Sequence, residues 1–286
     1  MANDYRAAAR TAEDYYDSPD ADAFYEAVWG GEDIHVGLYE TPDESIKDAS
    51  ARTVRDMAGR LPDLTPETGV LDLGAGYGGA ARYLARTHGC HVTCLNLSGK
   101  ENARNRVLNE AQGLVDKIEV VHGSFEDIPF EDGLFDVVWS QDAILHSGAR
   151  SRVIGEAARV LRPGGHLIFT DPMQTDTVET EADRQALQPI YERIHLPDLG
   201  SISFYREVAK QAGLEEVAID ARPDQLRNHY NQVRNVLTEE RETLSRRISP
   251  GYIDRMIAGL KHWVDGADAG RLTWAIMQFK KPGQVR

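Results

Sequence analysis

The sequence contains little cysteine and no long apolar run. Its two cysteines, Cys90 and Cys94, are not spaced as C-x-x-C and have no histidine cluster beside them. They predict neither a disulfide framework nor a metal site, and we expect both to pack as small apolar residues. No apolar stretch approaches the ~20 residues that span a bilayer, so we expect no membrane-spanning helix and no membrane partner.

Positive charge is also scarce. The 286-residue chain carries 46 acidic and 32 basic side chains, which gives a formal net charge of −14. A field of this sign repels phosphates, so we expect no nucleic acid partner. The first residues, MANDYRAAARTAEDYYD, include acids and lack an apolar core region, which predicts no secretory signal and a cytoplasmic location. A small-molecule partner remains, and the composition leaves a monomer and a homo-oligomer equally open.

Strand patterns alternate with helical patterns through the middle of the chain. The strand patterns are GVLDLG, CHVTCLNL, KIEVVHG, LFDVVWSQ, HLIFTDPM, LEEVAID and, after a long polar stretch, LTWAIMQFKK. Such alternation predicts an α/β, Rossmann-like fold with a mostly parallel seven-stranded sheet flanked by helices. We divide the chain into an N-terminal helical lid (1–60), a ligand-binding domain (61–221 and 271–286) and a helical insertion before the last strand (222–270). Ligands of such sheets bind at the carboxyl ends of the strands.

The stretch DLGAGYGG lies at the end of the first predicted strand, where a ligand is expected. Its residues also restrict the chemical class of that ligand. Gly74, Gly76 and Gly79 form a G-x-G-x-x-G, which lets the backbone approach a ligand closely. A dinucleotide would place its pyrophosphate on the next helix, where the carboxylate of Asp72 would repel it. Asp72 therefore favours a ligand with a positive group and no phosphate, and S-adenosylmethionine meets that demand. Asn96, where a dinucleotide site would have an acid, also argues against a nicotinamide enzyme.

Several segments resemble known methyltransferases. The segments DLGAGYGG, LNLS, GSFEDIPF, WSQDAILHS and LRPGGHLIFTDPM look like class I S-adenosylmethionine-dependent methyltransferases. The longer segments YYDSPDADAFYEAVWGGEDIHVGLY, RIHLPDLGS and RPDQLRNHY resemble the sarcosine/dimethylglycine N-methyltransferases in particular. This resemblance covers nearly the whole chain and implies an enzyme that makes glycine betaine, an osmolyte, from sarcosine and dimethylglycine. The alternatives are methylation of glycine or of another small amine such as phosphoethanolamine.

The resemblance implies a set of cofactor-binding residues. Asp72 would contact the methionine ammonium, and Asn96 and Leu97 would lie at the ribose, with Glu101 reaching back from the next helix. Ser124 and Phe125 would lie at the adenine, and Gln141 at the methionine end. The full predicted set is Asp72, Gly74, Gly76, Asn96, Leu97, Ser124, Phe125 and Gln141. S-adenosylmethionine is the co-substrate, and no metal is expected.

The segment DAILH carries the predicted catalytic residues. Asp142 and His146 are four residues apart, which places both on one face if the chain turns helical after the strand. Either side chain is a candidate to take the proton from the substrate ammonium. Similar phosphoethanolamine methyltransferases pair this histidine with an N-terminal tyrosine, and the matching position here is Tyr16, with Tyr15 as its neighbour.

The substrate needs a cation for its carboxylate and an aromatic wall for its methylated ammonium. The N-terminal aromatic residues are candidates for the wall, and basic residues near the lid are candidates for the carboxylate, including His195 and Arg206. The predicted substrate-binding set is Tyr25, Trp29, Arg193, His229 and Tyr230.

Overall fold

The computed structural model describes residues 18–194 and 198–283, except for the side chain of Ile194. Tyr15, Tyr16 and His195 lie outside the described residues. The described strands form one seven-stranded sheet in the order β3-β2-β1-β4-β5-β7-β6. Strands β1 to β5 run parallel, and β7 runs antiparallel between β5 and β6. The predicted mostly parallel sheet is therefore confirmed.

The strands are β1 (Gly69–Leu73), β2 (His91–Asn96), β3 (Ile118–His122), β4 (Phe135–Gln141), β5 (Leu161–Gln174), β6 (Glu215–Ala221) and β7 (Leu272–Lys280). The helices are α1 (Pro19–Trp29), α2 (Ile46–Gly59), α3 (Gly79–His88), α4 (Gly99–Ala111), α5 (Arg150–Val160), α6 (Glu181–Ile194), α7 (Ile202–Gln211), α8 (Pro223–Glu239), α9 (Arg241–Leu244) and α10 (Pro250–Asp268). A single 3₁₀ turn (Ile144–His146) follows β4.

Helix starts follow local capping chemistry. The Ser98 hydroxyl accepts a hydrogen bond from the Glu101 amide at 3.0 Å and caps the start of α4. Ser45 caps α2 in the same way, and its hydroxyl oxygen lies 3.1 Å from the Asp48 amide nitrogen. These caps satisfy amides that the first helical turn leaves without a partner.

Two apolar clusters cover the two faces of the sheet. Successive strand residues alternate between them, so that Val70 belongs to one cluster and Leu71 to the other. Cys90 and Cys94 are buried in the first cluster as free thiols, as predicted. A third cluster lies around Phe24 and Trp29 of α1, Val233 of α8 and Leu260 of α10. The N-terminal segment and the insertion before β7 therefore pack against each other.

The chain after β4 departs from the prediction. Asp142 has a φ of 49°, the left-handed region that few side chains adopt, and a single 3₁₀ turn follows. The condition that would place Asp142 and His146 on one α-helical face is therefore not met. The Pro163-Gly164-Gly165 segment lies inside β5. Within the described ranges, no helix combines the length and the apolar character that crossing a bilayer requires.

Substitution of Gly74 tests the packing of the first turn. Gly74 has a φ of 70°, and an added Cβ would overlap the Cβ of Ala143. Gly113 has a similar φ of 67° but no atom within 4 Å of an added Cβ. We expect Gly113→Ala to cost ~1–2 kcal/mol of backbone strain, and Gly74→Ala to cost ~1–3 kcal/mol more through overpacking. Thermal unfolding of both variants measures the difference, and equal losses would contradict this packing.

Candidate active site

Three adjoining cavities lie at the carboxyl ends of the strands. The largest has a volume of about 650 Å³, and the other two have volumes of about 80 and 30 Å³. Ile34 lines all three cavities. Asp142 and His146 line the large and the middle cavity, and Gln141 lines the middle and the small one. The three cavities are therefore adjacent and share parts of their walls.

The predicted cofactor-binding residues come together in the two smaller cavities. The middle cavity is lined by Gly74, Gly76, Asn96, Leu97, Ser124, Phe125 and Gln141. The small cavity is lined by Asp72, together with Gly74 and Gln141. The same turn that gives Gly74 and Gly76 positive φ values therefore forms a wall of both cavities. Their contacts with a cofactor stay a prediction.

Asp72 is a buried carboxylate that faces a cavity. Its exposed fraction is 3%, and it receives no hydrogen bond from the described residues. Burial raises the pKa of Asp72 to about 7, and the nearby His35 opposes that rise. A buried carboxylate without a donor is costly, so a cationic ligand in this cavity would be strongly attracted.

Asn96 and Glu101 are joined at the end of β2. The Asn96 side-chain amide donates to the Glu101 carboxylate at 2.8 Å, and both residues line the middle cavity. Glu101 is 5% exposed although it lies in the first turn of α4. The carboxylate expected to reach back from this helix therefore does lie beside Asn96.

The large cavity has an aromatic wall. Tyr25, Trp29, His229 and Tyr230 line it, as do three aromatic residues that sequence reasoning did not single out: Phe24, Tyr252 and Trp263. The Tyr25 and Trp29 ring centroids are 5.4 Å apart, and those of Tyr230 and Trp263 are 4.9 Å apart. The helical spacing of Tyr252 and Trp263 on α10 was visible in the sequence, but the packing of α10 against α1 was not.

Two arginines also line the large cavity. Arg193 lies in the last turn of α6, and its guanidinium contacts the sulfur of Met256 at 2.8 Å. Arg255 of α10 is exposed, and its guanidinium lies 5.9 Å from the ring centroid of Tyr252. Sequence reasoning missed Arg255. Arg206 is not part of the cavity lining, because its guanidinium pairs with Glu216 at 2.8 Å.

His146 lies where the large and middle cavities meet. Burial lowers the pKa of His146 to about 4, and the positive charges of Arg150 and Arg193 add to this shift. Its turn is fixed on both sides: the Leu145 amide donates to Asp171 at 3.0 Å, and Arg150 donates to the Leu145 carbonyl at 3.2 Å. The turn that carries His146 is therefore held in place, and the imidazole is neutral near pH 7. Its predicted partner, Tyr16, lies outside the described residues.

The carboxylate of Asp142 accepts hydrogen bonds from three donors. The Val36 amide donates at 2.6 Å, the Thr170 hydroxyl at 2.7 Å and the Trp274 indole at 2.8 Å. Burial raises the pKa of Asp142, and the charge of His35 and these hydrogen bonds oppose the rise. We call this group of four residues the Asp142 latch. It joins the segment after α1 to the ends of β4, β5 and β7.

Sequence reasoning also missed the loop between α1 and α2, which we call the strap (residues 30–39). Its residues Asp33, Ile34 and His35 line the small cavity. The His35 imidazole lies 3.0 Å from the Gln141 amide nitrogen. Burial disfavours the charged form of His35, but the Asp33 and Asp142 carboxylates outweigh burial and raise the pKa of His35. In the sequence, the segment GGEDIH carried no functional pattern of its own, and only the resemblance included it.

Comparisons with known proteins agree with this geometry. A methyltransferase domain model matches residues 71–169. The chain is 51% identical over 276 residues to the sarcosine/dimethylglycine N-methyltransferase of Aphanothece halophytica, covering 96% of this chain and 98% of that protein. It is 52% identical over 278 residues to the dimethylglycine N-methyltransferase of Parasynechococcus marenigrum (strain WH8102), covering 97% and 98% respectively.

A solved structure extends the similarity to the whole fold. It is a protein from Galdieria sulphuraria described as a candidate sarcosine dimethylglycine methyltransferase, with a TM-score of 0.88 and 44% identity. The match covers 95% of this chain and 100% of that one. The sheet order, the glycine turn and the cavities at the strand ends define a class I S-adenosylmethionine-dependent methyltransferase. Within that class, the chain belongs to the family of sarcosine/dimethylglycine N-methyltransferases.

Removal of the Trp274 indole donor tests the Asp142 latch. Trp274→Phe deletes a hydrogen bond to a carboxylate, which is worth ~1.5–3 kcal/mol. The matched control is Trp139→Phe, which deletes an equally buried indole whose donor serves the neutral Gln141 amide at 3.0 Å. That neutral bond is worth ~0.5–1.5 kcal/mol. We expect the Trp274 variant to lose more stability and to expose the Val36 amide to faster hydrogen exchange.

Unchanged Val36 exchange in Trp274→Phe, with a loss of stability equal to that of Trp139→Phe, would mean that the latch does not hold the strap. Thermal unfolding and hydrogen exchange, followed on the same samples, separate the two effects.

Proposed function

We propose that this enzyme methylates the amine nitrogen of sarcosine and of dimethylglycine with S-adenosylmethionine, so that the final product is glycine betaine. The observation that carries the proposal is the aromatic-walled cavity with arginines and a neutral histidine, directly beside a cavity suited to the cofactor. An aromatic wall attracts a methylated ammonium through cation–π interaction, and an arginine binds a carboxylate. The names of the two curated relatives support the same substrates.

The residues of the smaller cavities fit S-adenosylmethionine. Asp72 offers a buried carboxylate without a donor, as the methionine ammonium requires. Gly76 has a φ of 51°, and an added Cβ would come within 3.2 Å of the Ile34 side chain, so glycine suits this position. Asn96 with Glu101 offers polar groups for the ribose, and Phe125 offers a ring for the adenine. When bound, S-adenosylmethionine supplies the methyl group as an electrophile on its sulfonium.

The protein supplies position and environment. In this proposal the ring faces of Tyr25, Trp29 and Tyr230 surround the methylated nitrogen, while Arg193 holds the carboxylate. Holding the amine in line with the methyl group can contribute ~7–11 kcal/mol to the acceleration. The strap covers the junction of the cavities and excludes water, which favours the neutral amine. Segments 1–60 and 222–270 act as the lid in this arrangement.

His146 is the better candidate for proton acceptor. It lies at the junction of the cavities, and its lowered pKa, about 4, keeps the imidazole neutral and able to accept a proton at pH 7. The carboxylate of a bound substrate would raise that pKa toward the range that suits a general base. The Asp142 carboxylate already accepts three hydrogen bonds, so we assign it a positioning role. Tyr16 stays a predicted partner of His146.

Product analysis tests the function directly. Glycine, sarcosine and dimethylglycine are each incubated with the enzyme and methyl-labelled S-adenosylmethionine, and the products are identified by mass spectrometry. We expect label in dimethylglycine from sarcosine and in betaine from dimethylglycine. Betaine formation without turnover of sarcosine would restrict the enzyme to the last step, and labelled product from glycine would extend its range. No label in any product overturns the proposal.

The pKa of Asp72 predicts how cofactor binding depends on pH. A pKa of about 7 means that the carboxylate is protonated below that pH and ionised above it. A cationic ligand binds the ionised form, so we expect S-adenosylhomocysteine affinity to fall by up to ~10-fold per unit below pH 7. Asp72→Asn should bind more weakly and lose this pH dependence. Calorimetric titrations from pH 5.5 to 8.5 measure both.

His35 faces the same cavity and provides the control. His35→Gln removes the other titrating group and should retain the slope below pH 7. A slope lost only in the His35 variant would assign the titration to the histidine, and a flat profile in the wild type would contradict the predicted role of Asp72.

The two cavity arginines predict different substrate effects. Arg193→Ala should raise KM for dimethylglycine by ~10-fold to over 100-fold, the effect of losing a hydrogen bond to a charged group. Arg193→Lys should recover part of the loss, because an ammonium lacks the planar fork. Arg255 is exposed, so Arg255→Ala should raise KM only ~2–5-fold, as expected for a screened charge. Steady-state kinetics at saturating cofactor measure each KM, and the reverse ranking would assign the carboxylate to Arg255.

A further inference from the structure

His229 is a buried residue that lines the large cavity. It is 1% exposed on α8, and its ring contacts Trp29 and Tyr230 at centroid distances of 5.4 and 5.7 Å. It also lines the same cavity as Arg193. The imidazole is therefore surrounded by the aromatic rings that we propose hold the substrate.

The hydrogen bonds of His229 determine which ring nitrogen carries the proton. The Gly37 backbone amide lies 3.2 Å from Nδ1, and the Tyr39 hydroxyl oxygen lies 2.9 Å from the same atom. A backbone amide can only donate, so Nδ1 must present its lone pair. Burial lowers the pKa of His229 to about 3, with the charge of His35 as a smaller cause, so the ring is neutral. The proton is therefore on Nε2.

Tyr39 takes the role of donor in this arrangement. Burial raises the pKa of Tyr39, so its hydroxyl keeps its proton. Because Nδ1 has no hydrogen, the hydroxyl must donate to it. On the other side of the ring, Nε2 has no hydrogen-bond partner among the described residues. Its N–H is thus the donor that His229 can offer to a ligand.

We propose that Tyr39 is a positioning residue for substrate choice: with the Gly37 amide it fixes His229 as the Nε2–H tautomer, and this N–H donates to the substrate carboxylate. This inference rests on the proposed function. Tyr39 itself does not line the cavity and acts only through His229.

A neutral donor suits this place for an electrostatic reason. The substrate brings a carboxylate and a cationic nitrogen close together, and two arginine guanidiniums already line the cavity. A further positive charge would repel the ammonium, whereas a neutral N–H helps to hold the carboxylate without that penalty. The opposite tautomer would present a lone pair to the carboxylate and repel it.

The strap supplies both donors to Nδ1. The Tyr39 backbone amide also donates to the Gln225 side chain at 2.6 Å, one helical turn before His229 on α8. Val36 of the strap donates to Asp142, and Gly37 and Tyr39 contact α8, so the orientation of His229 depends on a docked strap.

Two substitutions of His229 distinguish the contribution of Nε2 to substrate binding from that of Nδ1. The side-chain amide of glutamine reaches about as far as Nε2, and that of asparagine about as far as Nδ1. We expect His229→Gln to raise KM for dimethylglycine less than ~3-fold, and His229→Asn to raise it ~10-fold or more, the effect of one lost hydrogen bond to a carboxylate. Equal KM values in the two variants would overturn the proposal.

Tyr39→Phe tests the positioning residue itself. It keeps the ring but removes one of the two donors to Nδ1, so KM should rise ~3–10-fold with kcat nearly unchanged. A merely structural role would lower the amount of active enzyme and hence kcat, and would leave KM as it is.

Nitrogen-15 NMR of labelled histidine reports the tautomer without any substrate. We expect a protonated Nε2 and an unprotonated Nδ1 for His229 in the wild type. The His229 signal is assigned as the one that is absent in His229→Gln or, alternatively, as the one that shifts in Tyr39→Phe. A protonated Nδ1 in the wild type overturns the inference even if the His229 variants fail to fold. If the wild type shows the expected tautomer but does not methylate dimethylglycine, it is the proposed function that fails.

Discussion

The site depends on one buried carboxylate. Asp142 accepts hydrogen bonds from the strap, from β5 and from β7, and it lies directly after β4 in a left-handed backbone conformation. A buried charge is tolerated only when its lone pairs are satisfied, so the three donors and the carboxylate require one another. Loss of any one partner leaves a polar group buried without its bond, so each of the three hydrogen bonds contributes to the connection between these segments.

The latch holds the strap, and the strap forms part of the wall of both the cofactor-side cavities and the substrate-side cavity. Ile34 of the strap lines all three cavities, and His35 lies against Gln141 at the end of β4. Glu32 of the strap also pairs with the fully buried Arg82 of α3 at 2.7 Å, so the strap is tied to the helix after the glycine turn. Because the strap is bound at several points, it helps to determine the shape of the large cavity and of the two smaller cavities together.

Charge is distributed unevenly over this site. The small cavity contains Asp72, which is buried without a hydrogen-bond donor from the described residues, and the large cavity contains two arginines and two histidines with lowered pKa values. Desolvation is the first cause of each of these shifts. The same burial that destabilises the unliganded charges strengthens their attraction to ligand groups of opposite sign, because few waters compete.

Local patterns in the sequence determined the sheet, the glycine turn and the start of α4, because strand alternation, positive-φ glycines and serine caps act over a few residues. The chemistry expected at the strand ends singled out Asp72 and Asn96, and the resemblance brought His146 and Arg193 to attention. Only the tertiary structure decided that Asp142 holds the strap, that Tyr252, Arg255 and Trp263 complete the cavity, and which nitrogen of His229 carries the proton. Those features join residues far apart in the chain, such as Gly37 and His229, which are 192 positions apart, and no local sequence pattern predicts such contacts.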